Sequence, residues 1–320
     1  MPQQFENRLR DPESINTTLQ AGLDRCGLGR VVSHTLVDVG FEDYNVIVKT
    51  EDDHRYFVKV LSKTRSMDEA QRYASIIDAV SGGAINHPKV YRDSEGNILL
   101  QLPDGTSMFV MDAIQGRTFF DMGSAPTEEQ LRRIVEQAVK IAQLPIAPPY
   151  EYDSWAVPNI RDIYDKVQNE IDTPDKSLID KALQRYEALS IDELPTCFVH
   201  GDMTKANIIT GDDGKLYVID FSVANIYPRI QELVVMATSL MFDESHELPL
   251  QDRIETLARL YIEHGGELTV VEHDSMYDYA LAALAMEYLG SLREGLVHGD
   301  SEEIRHWQHV GISGLRKALQ

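Results

Sequence analysis

The sequence is poor in positive charge: 30 lysine and arginine residues stand against 52 aspartate and glutamate residues, which gives a formal net charge of −22. Because a phosphate backbone is bound mainly by lysine and arginine, this imbalance argues against a general nucleic-acid surface. Two interpretations of the acidity stay open. A pocket lined by carboxylates would favour an amine or a polyamine, whereas carboxylates spread along the whole sequence, as these are, are typical of a solvated acidic surface.

Cysteines and long apolar runs are also scarce. Cys26 and Cys197 lie far apart, and neither belongs to a C-x-x-C pair, which argues against a disulfide framework or a zinc site. No window approaches the ~18 apolar residues that span a membrane, and residues 1–10 lack the apolar core of a signal peptide. We therefore expect a cytoplasmic protein with no membrane or nucleic-acid partner.

The most informative segment is centred on a predicted hairpin. Residues 207–210 and 216–220 are short apolar strands joined by the turn-forming run 211–214. Antiparallel pairing would bring the amide of Asn207 and the carboxylate of Asp220 together at the open end of the hairpin. One carboxylate and one amide oxygen suit Mg²⁺ that arrives with a nucleotide triphosphate, because this ion takes its other ligands from water and phosphates.

Asp202 precedes the hairpin within His-Gly-Asp at 200–202, and we expect its side chain to point into the same cleft. A carboxylate there can accept or orient the proton of an attacking hydroxyl, while a metal and a lysine neutralise charge on the phosphates. Each residue alone is ordinary, since Asp and Asn are common turn formers. The whole pattern, H-G-D-x-x-x-x-N followed by an apolar hairpin and I-D-F, is far more demanding and favours an active site for phosphoryl transfer.

On these residues the chain resembles the superfamily of aminoglycoside phosphotransferases, choline kinases and homoserine kinases, which are relatives of protein kinases. The resemblance implies that Asp202 is the catalytic base and that Asn207 and Asp220 bind Mg²⁺, with ATP or GTP as the phosphoryl donor. It gives His200 a mainly structural role.

The resemblance also implies an α+β, bilobal protein-kinase-like fold, with a small antiparallel-sheet N-lobe at residues 1–113 and a larger, mainly helical C-lobe at 114–320. A length of 320 residues, of which 43% are hydrophobic, fits two such lobes.

The first third of the sequence predicts a helix followed by three antiparallel strands. Asp11-Pro12 is typical of a helix start, and strand-like runs follow at 30–39, 44–49 and 55–61. In the third strand, alternation puts Lys59 on a face with apolar neighbours. A strand lysine is ordinarily an edge or snorkelling residue; the resemblance instead assigns Lys59 to the α- and β-phosphates of ATP.

Two features of this lobe depart from the protein-kinase pattern. A single Gly40 stands where protein kinases carry G-x-G-x-x-G. On the helix predicted at 67–80, Tyr73 occupies the position where we expect the glutamate that pairs with the lysine, and Glu69 lies one turn earlier on a similar face. Glu69 is the candidate partner of Lys59, with an ordinary exposed helical glutamate as the alternative.

A further hairpin is predicted at 97–102 and 107–114, and its second strand resembles the hinge between kinase lobes. Backbone groups of the hinge bind adenine, which makes Met111 and Ala113 the candidates for recognition of the base. An ordinary buried strand is compatible with the same residues.

The rest of the chain predicts helices and leaves the acceptor open. Their expected positions are 127–141, 157–172, 177–190, 228–242, 250–264, 275–292 and 302–319. The segment 261–272 is similar to a C-terminal segment of homoserine-kinase-like members, which favours a small amino alcohol or amino acid. Glu232, Asp243 and Glu244 could contact an amine, although solvation is the ordinary state of such carboxylates.

Several functions stay in view. The first is a small-molecule kinase that transfers the γ-phosphoryl group to a hydroxyl of an amino alcohol or amino acid, such as choline or homoserine. An antibiotic phosphotransferase of the aminoglycoside type is the alternative within the same chemistry. A protein kinase is disfavoured by H-G-D in place of H-R-D and by the lack of an A-P-E segment. A pseudokinase serving as an interaction module is disfavoured by the retention of Lys59, Asp202, Asn207 and Asp220 together.

Overall fold

The structure is a computed structural model that describes residues 6–37, 43–82, 85–244 and 248–320. The predicted loop around Gly40 lies outside the described residues. Contacts within the chain divide it into two units, residues 1–116 with 211–219 and residues 117–210 with 220–320. The predicted division at residue 113 is a single boundary. In the structure, residues 211–219 belong to the first unit although the chain on both sides of them belongs to the second.

The first unit begins with a capped helix. Asp11 accepts the N–H of Glu13 at 3.2 Å and caps a short turn of 3-10 helix at Pro12–Ser14. Helix α1 follows at Ile15–Arg25. The helix predicted from Asp11-Pro12 is confirmed, because proline fits the first turn, where its missing N–H is not needed.

Five antiparallel strands form the sheet of this unit, in the spatial order β1-β2-β3-β5-β4. Their bounds are Val31–Leu36 for β1, Tyr44–Thr50 for β2, Arg55–Val60 for β3, Leu100–Gln101 for β4 and Ser107–Asp112 for β5. Helix α2, at Met67–Ser81, connects β3 to β4. The register places Lys59 opposite Asn45 on β2 and opposite Phe109 on β5.

Helix α1 packs against one face of this sheet. Tyr56, Val58 and Val60 of β3 belong to the core formed there, as the predicted alternation requires. Gly22 permits the close approach, because a Cβ atom at this position would lie 2.3 Å from Sδ of Met108. Lys59 therefore points to the opposite face of the sheet, on the side of α2.

The remaining elements complete the chain. In order they are β6 at Gly116–Thr118, α3 at Phe119–Met122, α4 at Glu128–Ala142, α5 at Ile160–Val167, α6 at Thr173–Glu187, β7 at Thr196–Val199, β8 at Ile208–Gly211, β9 at Leu216–Val218, β10 at Asn225–Pro228, α7 at Ile230–Val235, α8 at Leu250–Glu263, α9 at Val270–His298 and α10 at Glu302–Ala318. A π-helical turn at Met236–Leu240 continues α7. In the second unit α9 packs against α5, α6, α7 and α10. The predicted combination of an antiparallel-sheet part and a mainly helical part is confirmed.

Several predicted helices begin elsewhere: α5 starts at Ile160 rather than 157, and α6 starts at Thr173 rather than 177. Helix α9 starts at Val270 rather than 275, because Thr269 and Glu272 form a capping box in which each side chain accepts the backbone N–H of the other. The helix predicted from 228 was wrong at its start, since Pro228 ends strand β10, where it lies opposite Thr196. Within the described ranges, none of the helices has the length and apolar character needed to span a bilayer.

Candidate active site

The His-Gly-Asp segment forms a loop at the carboxyl end of β7. Strand β7 pairs with β10, and the chain leaves this pair at His200. Gly201 has φ +84°, a left-handed conformation that glycine adopts without steric cost. A short 3-10 turn at Lys205–Asn207 then leads into β8. Asp202 and Asn207 therefore belong to one tightly folded loop.

His200 fills the inside of this loop. Its side chain is fully buried, and its ring centroid lies 4.4 Å from that of Phe221. Nδ1 accepts the backbone N–H of Asp202 at 3.2 Å, so the ring proton belongs on Nε2. This geometry fits the structural role that the resemblance implies for His200.

Asn207 contacts Asp202 directly. Its Nδ2 donates to Oδ2 of Asp202 at 2.6 Å and to the main-chain oxygen of Asp202 at 3.0 Å. Because the amide nitrogen is used in this way, the amide oxygen is the atom of Asn207 that is left to coordinate a cation.

Asp220 is held in an unusual backbone conformation. Its φ is +61°, and Asp53 is the other non-glycine residue with a positive φ among the described ranges. A left-handed conformation costs an L-residue roughly 1–2 kcal/mol, and aspartate tolerates it better than most. Such outliers cluster at functional sites. The carboxylate of Asp220 accepts the N–H of Ser222 at 3.3 Å, which orients it.

The predicted turn between the two strands of the motif is confirmed. The N–H of Gly211 donates to the carbonyl of Lys215 at 2.8 Å, and that of Gly214 donates back to Gly211 at 2.9 Å. Gly214 has φ +77°, a value that favours glycine in a turn. Strands β8 and β9 flank this turn, as expected. The predicted register of Asn207 opposite Val218 stays a prediction.

Carboxylates gather around Asp202. Burial raises the pKa of Asp202 well above its ordinary range, and the negative charges of Glu287, Asp220 and Asp153 raise it further. The hydrogen bond from Asn207 acts in the opposite direction. Burial also raises the pKa of Glu287 to about 8. The second unit thus contains three carboxyl groups close enough to Asp202 to repel its negative charge, and cations would relieve this repulsion.

These residues fit a magnesium ion carried by a nucleotide. One carboxylate, from Asp220, and one amide oxygen, from Asn207, are the hard oxygen donors that Mg²⁺ prefers. In the part of the chain that the structure describes, no three His, Cys, Asp or Glu side chains are placed to hold a metal by themselves. A donor set of one carboxylate and one amide oxygen suits an ion that takes its remaining ligands from phosphates and water.

Glu232 lies beneath the loop. It is 3% exposed, and its Oε2 accepts the backbone N–H groups of His200 at 2.6 Å and Gly201 at 3.3 Å. Burial raises its pKa to about 7. Neither solvation nor contact with an amine, the two roles considered for this residue, agrees with this placement. A charged residue within the apolar run 230–236 was the available sequence signal, since glutamate is rarely buried without a partner.

The predicted acidic candidates Asp243 and Glu244 show a different environment. Glu244 is exposed, and its carboxylate pairs with His309 on the surface. Burial lowers the pKa of Lys205, a loop residue, and the charge of the half-buried Asp243 opposes this shift. These contacts provide no reason to assign either carboxylate to an amine.

A second acidic pair, which the sequence did not indicate, borders Asp202. Asp153 accepts the backbone N–H of Trp155 at 2.8 Å. The indole of Trp155 packs on Gly290, where a Cβ atom would lie 2.6 Å from the ring. Gly290 and Glu287 are three residues apart on α9 and share a helix face. Trp155 therefore lies on the same face of α9 as Glu287, with Asp153 two residues away along the chain.

The predicted nucleotide-binding residues lie in the first unit. Lys59 is 4% exposed, its Nζ lies 3.8 Å from Oδ2 of Asp43, and the ring centroid of Tyr73 is 5.5 Å away. Glu69 accepts the N–H of Ser66 at 2.5 Å and completes the capping box of α2. The pairing of Glu69 with Lys59 stays a prediction, and this use of the glutamate does not support it.

The predicted adenine-binding residues are engaged within the sheet. Met111 lies opposite Phe57 of β3 and forms a bridge with Val90 on its other side. The N–H of Ala113 donates to the carbonyl of Arg55 at 3.2 Å. Both assignments stay predictions. The observed pairing does not support them, because backbone groups already paired in this way are poorly placed to recognise a base edge.

Comparison with known proteins agrees with this chemistry. Residues 33–265 match the model of the phosphotransferase enzyme family. A homoserine kinase of Rhodospirillum rubrum is 23% identical over 250 residues, which cover 76% of this chain and 74% of that protein. The crystal structure of a spectinomycin phosphotransferase with ADP and spectinomycin shares the fold, with a TM-score of 0.69, 16% identity and coverage of 95% of this chain and 98% of that chain. The structure of a microcompartment-associated aminopropanol kinase also shares it, with a TM-score of 0.68, 12% identity and coverage of 95% of this chain and 96% of that chain. The family model covers more than half of the sequence, and the chain therefore belongs to the phosphotransferase enzyme family, whose members transfer phosphate to hydroxyl groups of small molecules.

Proposed function

We propose that this phosphotransferase transfers the γ-phosphoryl group of ATP or GTP to a hydroxyl of a small molecule that also carries a positively charged amine, such as an amino alcohol or an amino acid. The observation that carries the proposal is the gathering of Glu287, Asp220 and Asp153 around Asp202. Asp202 and Asp220 have roles in catalysis and metal binding. Asp153 and Glu287 remain for the acceptor.

The acceptor site would combine charge and an aromatic face. An ammonium group between Asp153 and Glu287 would offset two carboxylates, and the indole of Trp155 offers an aromatic surface for a cation. Because a desolvated cation gains more from a carboxylate than an exposed one does, the half-buried position of both carboxylates favours a tight contact. An uncharged alcohol would not offset the negative charge of these carboxylates.

The chemistry would use residues of the loop. Asp202 accepts or orients the proton of the attacking hydroxyl, and Asn207 keeps its carboxylate in place. Mg²⁺ held by Asn207 and Asp220 would neutralise charge on the phosphates. Burial and, after it, the neighbouring carboxylates raise the pKa of Asp202. Cations beside Asp202 would oppose both effects and lower its pKa, so that the carboxylate is ionised when both substrates are present.

In the first unit, Lys59 would bind the α- and β-phosphates. Its burial supports the proposal, since a buried lysine beside a carboxylate is held in one orientation. Positioning and charge neutralisation then supply most of the rate, as in phosphoryl transfer generally.

A panel of acceptors tests the proposal. The purified protein is incubated with Mg²⁺ and ATP or GTP, and phosphate ester is measured for matched pairs such as 3-amino-1-propanol and 1,3-propanediol, and homoserine and its N-acetyl derivative. Phosphorylation of the amine and not of its uncharged partner is expected. Equal rates for both members of every pair would refute the cationic acceptor site, and turnover restricted to aminoglycosides would favour an antibiotic phosphotransferase. Nucleotide binding without transfer to any acceptor would favour a pseudokinase.

A further inference from the structure

The nucleotide-binding lysine proposed above has its carboxylate partner on the sheet rather than on the helix. Lys59 lies on β3 with 4% of its surface exposed, and its Nζ is 3.8 Å from Oδ2 of Asp43, which is 3% exposed. An ammonium group buried to this degree needs an anion, because the lost hydration is otherwise uncompensated.

Asp43 is firmly held in this position. It directly precedes β2, where Tyr44 lies opposite Val60 and Asn45 opposite Lys59. Oδ1 of Asp43 accepts the backbone N–H of Ser62 at 3.0 Å.

Two arginines add to these contacts. Arg65 donates to the two carboxylate oxygens of Asp43 at 3.4 and 3.3 Å, and Arg8 donates to its main-chain oxygen at 2.8 Å. Asp43 is therefore held by the chain that follows β3, through Ser62 and Arg65, and by Arg8 near the start of the chain.

Helix α2 contributes an aromatic ring at this point. The ring of Tyr73 faces Lys59 at 5.5 Å and Arg65 at 5.9 Å. Tyr73 is 1% exposed and packs edge-on against Phe109, which lies opposite Lys59 in the sheet. The carboxylate of Glu69, on the same helix, is engaged with Ser66 at the start of the helix.

We propose that Asp43 is the positioning residue for Lys59, in place of a helix glutamate, and that Tyr73 closes the pocket on the helix side. The proposal rests on the proposed function, since it assumes that Lys59 binds the nucleotide. Asp43 orients Lys59, so it acts on nucleotide binding through the lysine and without touching the phosphates.

The test compares nucleotide affinity, measured by calorimetry, and the KM for ATP in four single variants and one double variant. Asp43→Asn should weaken binding by at least about tenfold, which is 1.4 kcal/mol, with the helical circular dichroism retained. Asp43→Glu should keep most of the affinity. Lys59→Met should weaken binding to a similar degree, and Asp43→Asn should cause little further loss in that background. The matched control Glu69→Gln, which removes a half-exposed carboxylate of α2, should stay within about twofold of the parent protein.

A rescue provides a readout that a merely structural role would not change. Asp43→Asn combined with Tyr73→Glu restores a carboxylate beside Lys59 from the helix, and it should recover affinity relative to Asp43→Asn, or recover folding and affinity together if Asp43→Asn alone does not fold. Loss of affinity in Lys59→Met with none in Asp43→Asn, or a folded double variant with no recovery, would overturn the role of Asp43. Unchanged affinity in Lys59→Met would instead refute the proposed nucleotide contact itself.

Discussion

Asn207 donates its side-chain amide to Oδ2 of Asp202 at 2.6 Å and to the main-chain oxygen of the same residue at 3.0 Å. The residue proposed to bind metal therefore also orients the candidate base. The two roles use different atoms, since the nitrogen faces Asp202 and the oxygen is left for the cation.

Asn207→Asp separates these roles. The new side chain keeps an oxygen for the metal but replaces the N–H donor by a second carboxylate beside Asp202. We expect kcat to fall by roughly 10²-fold, as for a misplaced general base, while the affinity for the nucleotide with Mg²⁺ is not weakened. Calorimetry and steady-state kinetics measure the two effects, and an unchanged kcat would show that the Asn207 amide does not position Asp202.

Asp220→Ala should weaken the proposed metal site. We expect Mg²⁺-dependent nucleotide binding to weaken by roughly 10- to 100-fold, the range found when partners of metal ligands are removed. Asp212→Ala is the matched control, because Asp212 is exposed in the turn of the same hairpin. Titration of nucleotide at several Mg²⁺ concentrations makes the comparison. Identical Mg²⁺ dependence in the two variants would refute the metal role of Asp220.

The pH dependence of acceptor binding tests Glu287. Burial raises the pKa of its carboxyl to about 8 in the free protein, so a proton must leave before the carboxylate can pair with an ammonium group. The KM for an amino alcohol should therefore fall as pH rises from about 6.5 to about 8.5, where the amine is still charged. Glu287→Gln should raise KM by roughly tenfold and flatten this dependence. A parallel pH profile in the variant would exclude Glu287 from the acceptor site.

Stability should depend on the buried Glu232. Its pKa is raised from 4.5 to about 7, so the folded protein keeps this proton to a higher pH than the unfolded chain does. The stabilisation is fully present below the unfolded value and is lost as pH rises through about 7. As pH rises from about 5 to about 8, the Tm of the Glu232→Gln variant should therefore fall less than the Tm of the parent protein. Equal slopes of Tm against pH would contradict a buried, titrating Glu232.

The sequence predicted the features that depend on neighbouring residues. The turn at 211–214 and the alternation around Lys59 are local patterns, and both are present in the structure. The start of α9 was missed although its signal was local, since Thr269 and Glu272 have the spacing of a capping box.

Partnerships between distant segments could not be predicted in this way. Glu232 contacts a backbone N–H 32 residues earlier in the chain. Asp43, which precedes β2, lies beside Lys59 on the neighbouring strand β3. Propensity and periodicity describe the shape of a segment, whereas burial of a charge depends on which segments meet. The resemblance therefore predicts a carboxylate partner of Lys59 on α2, whereas the carboxylate of Asp43 comes from the residue that precedes β2.

The most direct test of the account is transfer of the γ-phosphoryl group from ATP to an amino alcohol by the parent protein and by Asp202→Asn, followed by ³¹P NMR. The parent protein should form a phosphate monoester. The rate of ester formation by the variant should be about 10²–10⁴-fold lower, while its nucleotide affinity stays nearly unchanged. Equal rates of ester formation by the two proteins would contradict the assignment of Asp202 as the catalytic base.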